Sequence, residues 1–375
     1  MLKCVNIKTL SLLPFMLLTS QTAVSQTVEE HVDSIQNEAV QAKPGAFKRL
    51  GHRLYEFVKD FSRVDTNYVE PQHYNYTVML QNTNTYEMYR LTTDNGNSFT
   101  FSPKPSIKLG PYVGWRWIFL GYTIDLNHLS SDNKKKEFDL SLYSSQIGVD
   151  LFYRHTGDDF RIRKAYLGEN VDTKALKNVS YDGVSASIVG FNLYYIFNHK
   201  KFSYPAAFSQ STVQKRSCGS PMVGIGYTRH SLSVDWEKMT NLVADRLGQD
   251  VADTNLGPIG ESGKVKYTDI SISGGYGYNF VFAPRWLFAS SLSIALAYKK
   301  TISDVEESAF SFRDFSIRNF NIDGVGRFGV VWNNNKWYVG ANTILHSYNY
   351  NKKRFSTNNI FGSVNIYVGV NFGKR

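Results

Sequence analysis

Cysteine is scarce, with 2 in 375 residues, Cys4 and Cys218. A leader that carries off Cys4 would leave one thiol, which excludes a disulfide framework and a cysteine zinc site. No run of eighteen apolar residues occurs outside the extreme N-terminus, so helical membrane spans are not expected. Gly257 to Gly263 is glycine-rich but has neither the Lys-Ser/Thr nor the helix of a phosphate loop; it reads as an outer loop. Asp245, Asp250 and Asp253 lack the spacing of a calcium loop, and the histidines show no ligand spacing, so no metal and no cofactor are expected. Paired carboxylates and nucleic-acid modules are absent as well.

Aromatic residues are abundant, at 15% of the chain. Mean hydropathy is nevertheless −0.31. Strands that are oily on one face and polar on the other average out in this way. The last stretch, Ile360 to Phe372, is the clearest case. Val364, Ile366, Val368, Val370 and Phe372 share one parity, and Ser363, Asn365, Tyr367, Gly369 and Asn371 the other. Such a strand suits lipid on one side and a hydrated interior on the other. Unpaired backbone amides are costly in hydrocarbon, so the sheet is expected to close on itself.

The expected fold is therefore all-β: a transmembrane antiparallel up-and-down barrel of about 12 strands, with 14 as the alternative. The two counts differ over Tyr74 to Pro105, whose pattern fits one strand or three. A parity switch between Leu142 and Ile147 suggests a bulge. Short turns at Trp115–Trp117, His155–Asp159, Ala283–Trp286 and Trp332–Trp337 alternate with long polar connections, as when every second turn faces the periplasm. His199 to Lys215 breaks the alternation, being long where a short turn is due. Trp115, Trp117, Trp286, Trp332 and Trp337 flank short turns, the pattern of an interfacial aromatic girdle.

Residues 1–25 read as a secretory signal peptide, with Lys3 and Lys8 around an apolar run and small residues before a cut after Ser25. Residues 26–72 form a short, largely helical periplasmic segment. A first apolar stripe is followed by Phe47, Leu50, Leu54, Phe57 and Phe61, ringed by basic side chains. Residues 73–375 are the barrel. Loss of the leader would take the formal charge from +10 to +8, a balance that favours anionic lipid or glycan over nucleic acid.

Alternation also nominates inward charges. Asp125, Asp150, Arg154, Arg161, Arg163 and Arg327 fall on faces opposite to apolar residues, with Phe160 and Ile162 turned outward beside the two arginines of their strand. Charges of both signs inside a barrel either pair to hold the wall or line a route for a charged or sugar-like solute. His346, Ser347 and Asn349 are the one grouping fit for lipid chemistry. Neighbours on a strand point to opposite faces, so His346 cannot orient Ser347.

The stretch Pro103 to Leu126, containing Gly110-Pro111-Tyr112-Val113-Gly114-Trp115-Arg116-Trp117, resembles a Bacteroidetes family known as domain of unknown function 4421. Phe57 to Phe61, Asp65 to Val69, Thr77 to Gln81 and Phe202 to Gln210 are similar too. The resemblance implies an outer-membrane-barrel-like protein of a Gram-negative bacterium and carries over no catalytic residue. The leading expectation is a channel or transport component for a small charged or sugar-like solute. The alternative is a non-transporting envelope anchor with a protein partner, and a lipid-modifying enzyme is a distant third. Outer-membrane lipid, and the barrel-assembly machinery through the C-terminal strand, are the other expected partners.

Overall fold

The computed structural model describes residues 64–93, 95–115, 118–126, 135–156, 159–255, 264–301, 319–351 and 355–374. The expected leader, the basic helical stretch and Trp117 lie outside them. In chain order the strands are β1 Val69–Pro71, β2 Tyr74–Thr93, β3 Ser98–Ser102, β4 Ser106–Trp115, β5 Ile118–Gly121 and β6 Ile124–Asp125. Next come β7 Lys136–Tyr143, β8 Ile147–His155, β9 Arg161–Tyr166, β10 Val184–Ile196, β11 Thr212–Gln214 and β12 Cys218–Val234. The C-terminal set is β13 Lys264–Ala283, β14 Trp286–Thr301, β15 Phe320–Asn333, β16 Trp337–Asn351 and β17 Phe355–Lys374.

Twelve of these pair antiparallel in one curled sheet, in the order β5-β4-β2-β17-β16-β15-β14-β13-β12-β10-β8-β7. The expected strand number is met, and Tyr74–Thr93 is a single 20-residue strand of the wall. The C-terminal strand pairs with β2, so the last strand closes onto the first long one. At the remaining seam, side chains join what the ladder leaves apart. Lys108 of β4 pairs with Glu137 of β7, and Lys135 reaches both Glu137 at 2.7 Å and Glu87 of β2 at 3.3 Å.

One face of the sheet is oily and bare. Ile272 is 70% exposed, Leu292 60% and Ile366 55%, and each sits between inward-facing polar or aromatic neighbours. Apolar exposure on this scale marks a surface that meets lipid.

Two expectations about connections change. The parity switch before Ile147 is a tight turn, not a bulge. Ser144 Oγ accepts from Ile147 N at 2.9 Å and closes the β7–β8 hairpin. A hairpin reverses parity as a bulge does, so alternation alone does not separate them. His155, in turn, ends β8 at the opposite end from the short turns, and the chain leads on to β9, which pairs with β3.

Those two strands belong to a cap. Phe99 and Phe101 from β3, Phe160 and Ile162 around β9, Leu176, Tyr181, Met239 and Val243 make one apolar cluster. Its helix, Trp236–Leu247, begins where Asp235 accepts the Lys238 amide at 3.1 Å and stops at Gly248, whose φ is 104°. An N-cap carboxylate and a glycine free to take positive φ supply both helix boundaries.

Candidate functional site

The long connection that broke the alternation provides the main feature of the interior. Residues 198–217 fold back into the short-turn end of the barrel. Pro205–Phe208 forms a single helical turn in which Ala206 and Ala207 are buried, as is Tyr204 just before it. Tyr204 Oη meets Ser291 Oγ of β14 at 2.6 Å. Gln210 Nε2 donates to Tyr367 Oη of β17 at 2.7 Å, and Asn279 of β13 donates to the Ser203 carbonyl at 2.8 Å. Tyr143 of β7 and Tyr194 of β10 place their rings 5.5 and 5.7 Å from that of Tyr204. The insert thus touches strands all round the wall.

The same insert is tied to the N-terminal side. β1 pairs with β11 from Val69↔Gln214 to Pro71↔Thr212. Asp65 N donates to Lys200 O at 2.8 Å, and Lys215 N to Tyr68 O at 2.7 Å. Asn335, in the tight turn between β15 and β16 with φ of 73°, donates to Glu70 Oε1 and to the Pro71 carbonyl, both at 3.1 Å.

Above the insert the interior is charged. Arg327 of β15 pairs with Asp150 of β8, and Asp150 also accepts from Ser141 Oγ at 2.7 Å. The Arg327 guanidinium lies 5.2 Å from the Tyr194 ring and 5.9 Å from Tyr204. Arg154 donates to Asp139 at 3.0 Å and lies 4.8 Å from the Phe361 ring. A second group joins Lys299 to Asp323 at 2.7 Å and to Asp269 at 3.7 Å. Thr228 donates to Asp269 and contacts His230 Nε2 at 2.9 Å, while His230 stacks on Tyr267 at 4.4 Å. Ion pairs at such depth survive only when each charge finds its partner and hydrogen bonds.

Of the residues nominated from sequence, Asp150, Arg154 and Arg327 are buried, Asp150 paired with Arg327 and Arg154 with Asp139. Asp125 is half-buried at the end of the sheet, in register with Lys108. Arg161 and Arg163 are a correction. Phe160 and Ile162 are 0% exposed in the cap and the two arginines face the other way, Arg163 on the surface. Alternation separates two faces but does not say which is wet, and here the apolar face is the buried one. Arg163 donates to Asn178 Oδ1 at 3.0 Å, within the cap.

Sequence reading missed Lys299, Asp269, Asp323, Glu87 and the inserted Tyr204. Asp269 and Asp323 alternate with exposed Ile270 and Ile322, so the parity test applied to β13 and β15 would have found them. Glu87 is masked by Tyr89 and Leu91, which share its buried face. Trp115, Trp286 and Trp337 are exposed and Trp332 is half-buried, all four at the short-turn end. Trp286 and Trp332 are register partners. His346 is buried, 4.8 Å from the Phe361 ring, while Ser347 lies on the opposite face. In the cap, burial and the nearby Asp235 push the Tyr181 phenol well above its ordinary range.

The family model described as domain of unknown function (DUF4421) matches residues 63–372. No curated protein matches the sequence. Among solved structures, the outer membrane protease OmpT from Escherichia coli is 8% identical with a TM-score of 0.31, over 81% of this chain and 98% of that one. The toluene transporter TodX of P. putida is 9% identical with a TM-score of 0.22, over 80% and 91%. The outer membrane protein OprG from Pseudomonas aeruginosa is 8% identical with a TM-score of 0.24, over 81% and 98%. These neighbours are outer-membrane β-barrels with different roles.

Proposed function

This chain belongs to the DUF4421 family, and from its geometry we propose that it is an outer-membrane barrel shut at rest, which anchors an envelope assembly through its N-terminal segment. The observation that carries this reading is the insert at residues 198–217, bonded to β13, β14 and β17 and paired in turn with β1. A load applied to the N-terminal segment passes into β1, from there through the β1–β11 ladder into the insert, and so into the wall. The barrel then acts as a fixed mount, with the N-terminal segment in the periplasm and the long connections outside. Assembly through the C-terminal strand fits its place against β2.

Planar-bilayer recording and a pull-down from native envelope test the proposal together. Purified protein should show no ohmic level at any voltage, and the full chain should retain a protein partner that a chain lacking residues 26–63 loses. A steady open level from the unaltered protein would defeat the closed-mount reading.

A second reading keeps the transport role expected from sequence, with the insert as a displaceable plug. It is favoured by the polar character of the attachments, since Tyr204–Ser291, Gln210–Tyr367 and Asn279–Ser203 are all side-chain hydrogen bonds. Net worth per bond is modest, about 0.5–1.5 kcal/mol. On this reading, replacing residues 199–215 with a short turn yields a conducting barrel for small charged or sugar-like solutes.

A further inference from the structure

At the end of the barrel remote from the short turns, the β15–β16 ladder stops at Gly324↔Ser347, although both strands continue. Beyond that point side chains bridge the gap. Asn349 Nδ2 donates to the Ile322 carbonyl at 2.7 Å, and the Asn351 amide to Asn321 Oδ1 at 3.1 Å. The splayed strands frame a cavity of about 470 Å³ that reaches across β17 to Arg90 and Thr92 of β2. That volume lies within the roughly 300–1,000 Å³ of small-molecule sites.

Its outer face is ordered in rows. Thr92, Ser356 and Asn351 are register partners across β2, β17 and β16, and so are Arg90, Asn358 and Asn349 one step nearer the membrane. The next row is Met88, Ile360 and Ser347, and the one after it holds Tyr86 and Leu345, 52% and 45% exposed. Two polar rows therefore stand directly on an oily belt, on the side of the wall that meets lipid. Rows two residues apart along a strand are about 7 Å apart, so the polar band is as tall as a sugar ring or two. Phe320 adds an aromatic edge to the lining.

We propose that this notch holds the phosphorylated sugar head of an outer-leaflet glycolipid. Arg90 takes the phosphate by charge-assisted hydrogen bonds. Asn351, Ser356 and Thr92 meet the sugar hydroxyls, and the acyl chains run down over Met88, Tyr86 and Leu345. Amides and hydroxyls beside one guanidinium match a sugar phosphate, and the basic balance of the chain, +10 in full and still basic without the expected leader, favours an anion. The inference rests on this rim facing the outer leaflet and is independent of whether the lumen conducts.

Native mass spectrometry of the purified full chain, mixed with bisphosphorylated lipid A, dephosphorylated lipid A or phosphatidylethanolamine, tests it. Unaltered protein should prefer the phosphorylated glycolipid over phosphatidylethanolamine by about tenfold or more, the order expected for a charge-assisted contact. Arg90→Gln, at an exposed position, should lose about tenfold for the phosphorylated form only. Ser356→Ala should weaken both lipid A forms. Gel mobility with and without boiling confirms that each variant is folded. Equal retention of all three lipids, or no effect of Arg90→Gln, overturns the proposal. So does displacement of lipid A by glucosamine 6-phosphate at equal concentration, which would identify a free sugar phosphate as the ligand.

Discussion

Arg327 and Asp150 form an ion pair across the interior, although four strands separate β15 from β8 in the sheet. A flat sheet could not bring them together; the curl of this one does. Both are buried, at 3% and 5% exposure, so each neutralises a charge that would otherwise be stranded. Arg327→Met should destabilise the barrel by about 3–5 kcal/mol, because Asp150 is left charged and unpaired. The double change Arg327→Met with Asp150→Leu should recover most of that loss. Urea midpoints in detergent decide the matter. A single variant as stable as the parent would mean that the pair does not form.

The lipid belt yields a contrast between two positions. Leu292 is 60% exposed on β14, and an arginine there would face hydrocarbon at a cost of roughly 2–4 kcal/mol near the bilayer midplane. Arg163 lies on the surface of the cap, so Arg163→Ala should change stability by no more than about 0.5 kcal/mol. Folding yield into vesicles of the two variants, followed by gel mobility, should fall for Leu292→Arg alone. Equal yields would place Leu292 against something other than lipid.

Glycine on the inner face has a packing role at Gly369. Tyr338 is its register partner on β16, and the Tyr338 ring lies over the glycine so closely that a Cβ there would collide with it. From that position Tyr338 Oη reaches Thr77 Oγ1 on β2 at 2.8 Å, bridging three strands. Gly369→Val should displace the ring, break that bond and cost about 1–3 kcal/mol. Adding Tyr338→Ala should relieve the clash, so that the two losses do not sum. Additive losses would show that the ring does not rest on the glycine.

Much of this protein was legible as pattern. Alternation along Ile360–Phe372 and its counterparts, the aromatic content and the clustered tryptophans led to a lipid-facing sheet of about twelve strands. Side-chain parity is a local property of extended backbone and survives in a linear reading. The oddity of His199–Lys215 was visible as well, but only as a length that did not fit. Asp150, Arg154 and Arg327, read from alternation as inward, are buried, whereas Arg161 and Arg163 alternate with Phe160 and Ile162, which are the buried residues of that stretch.

What sequence determined alone, then, was periodicity: which residues share a face and where the chain must turn. Tertiary structure decided what each face meets. It turned β9 into a cap strand and a suspected bulge into a hairpin, and it seated Tyr204 in the interior. It also joined Lys108 to Glu137 and Arg327 to Asp150 across strands that are not neighbours in the sheet. The physical reason is that parity depends on one residue and its neighbours, while a partner across the interior depends on how the whole sheet curls. No local signal carries that curvature, because it is set by all twelve strands at once.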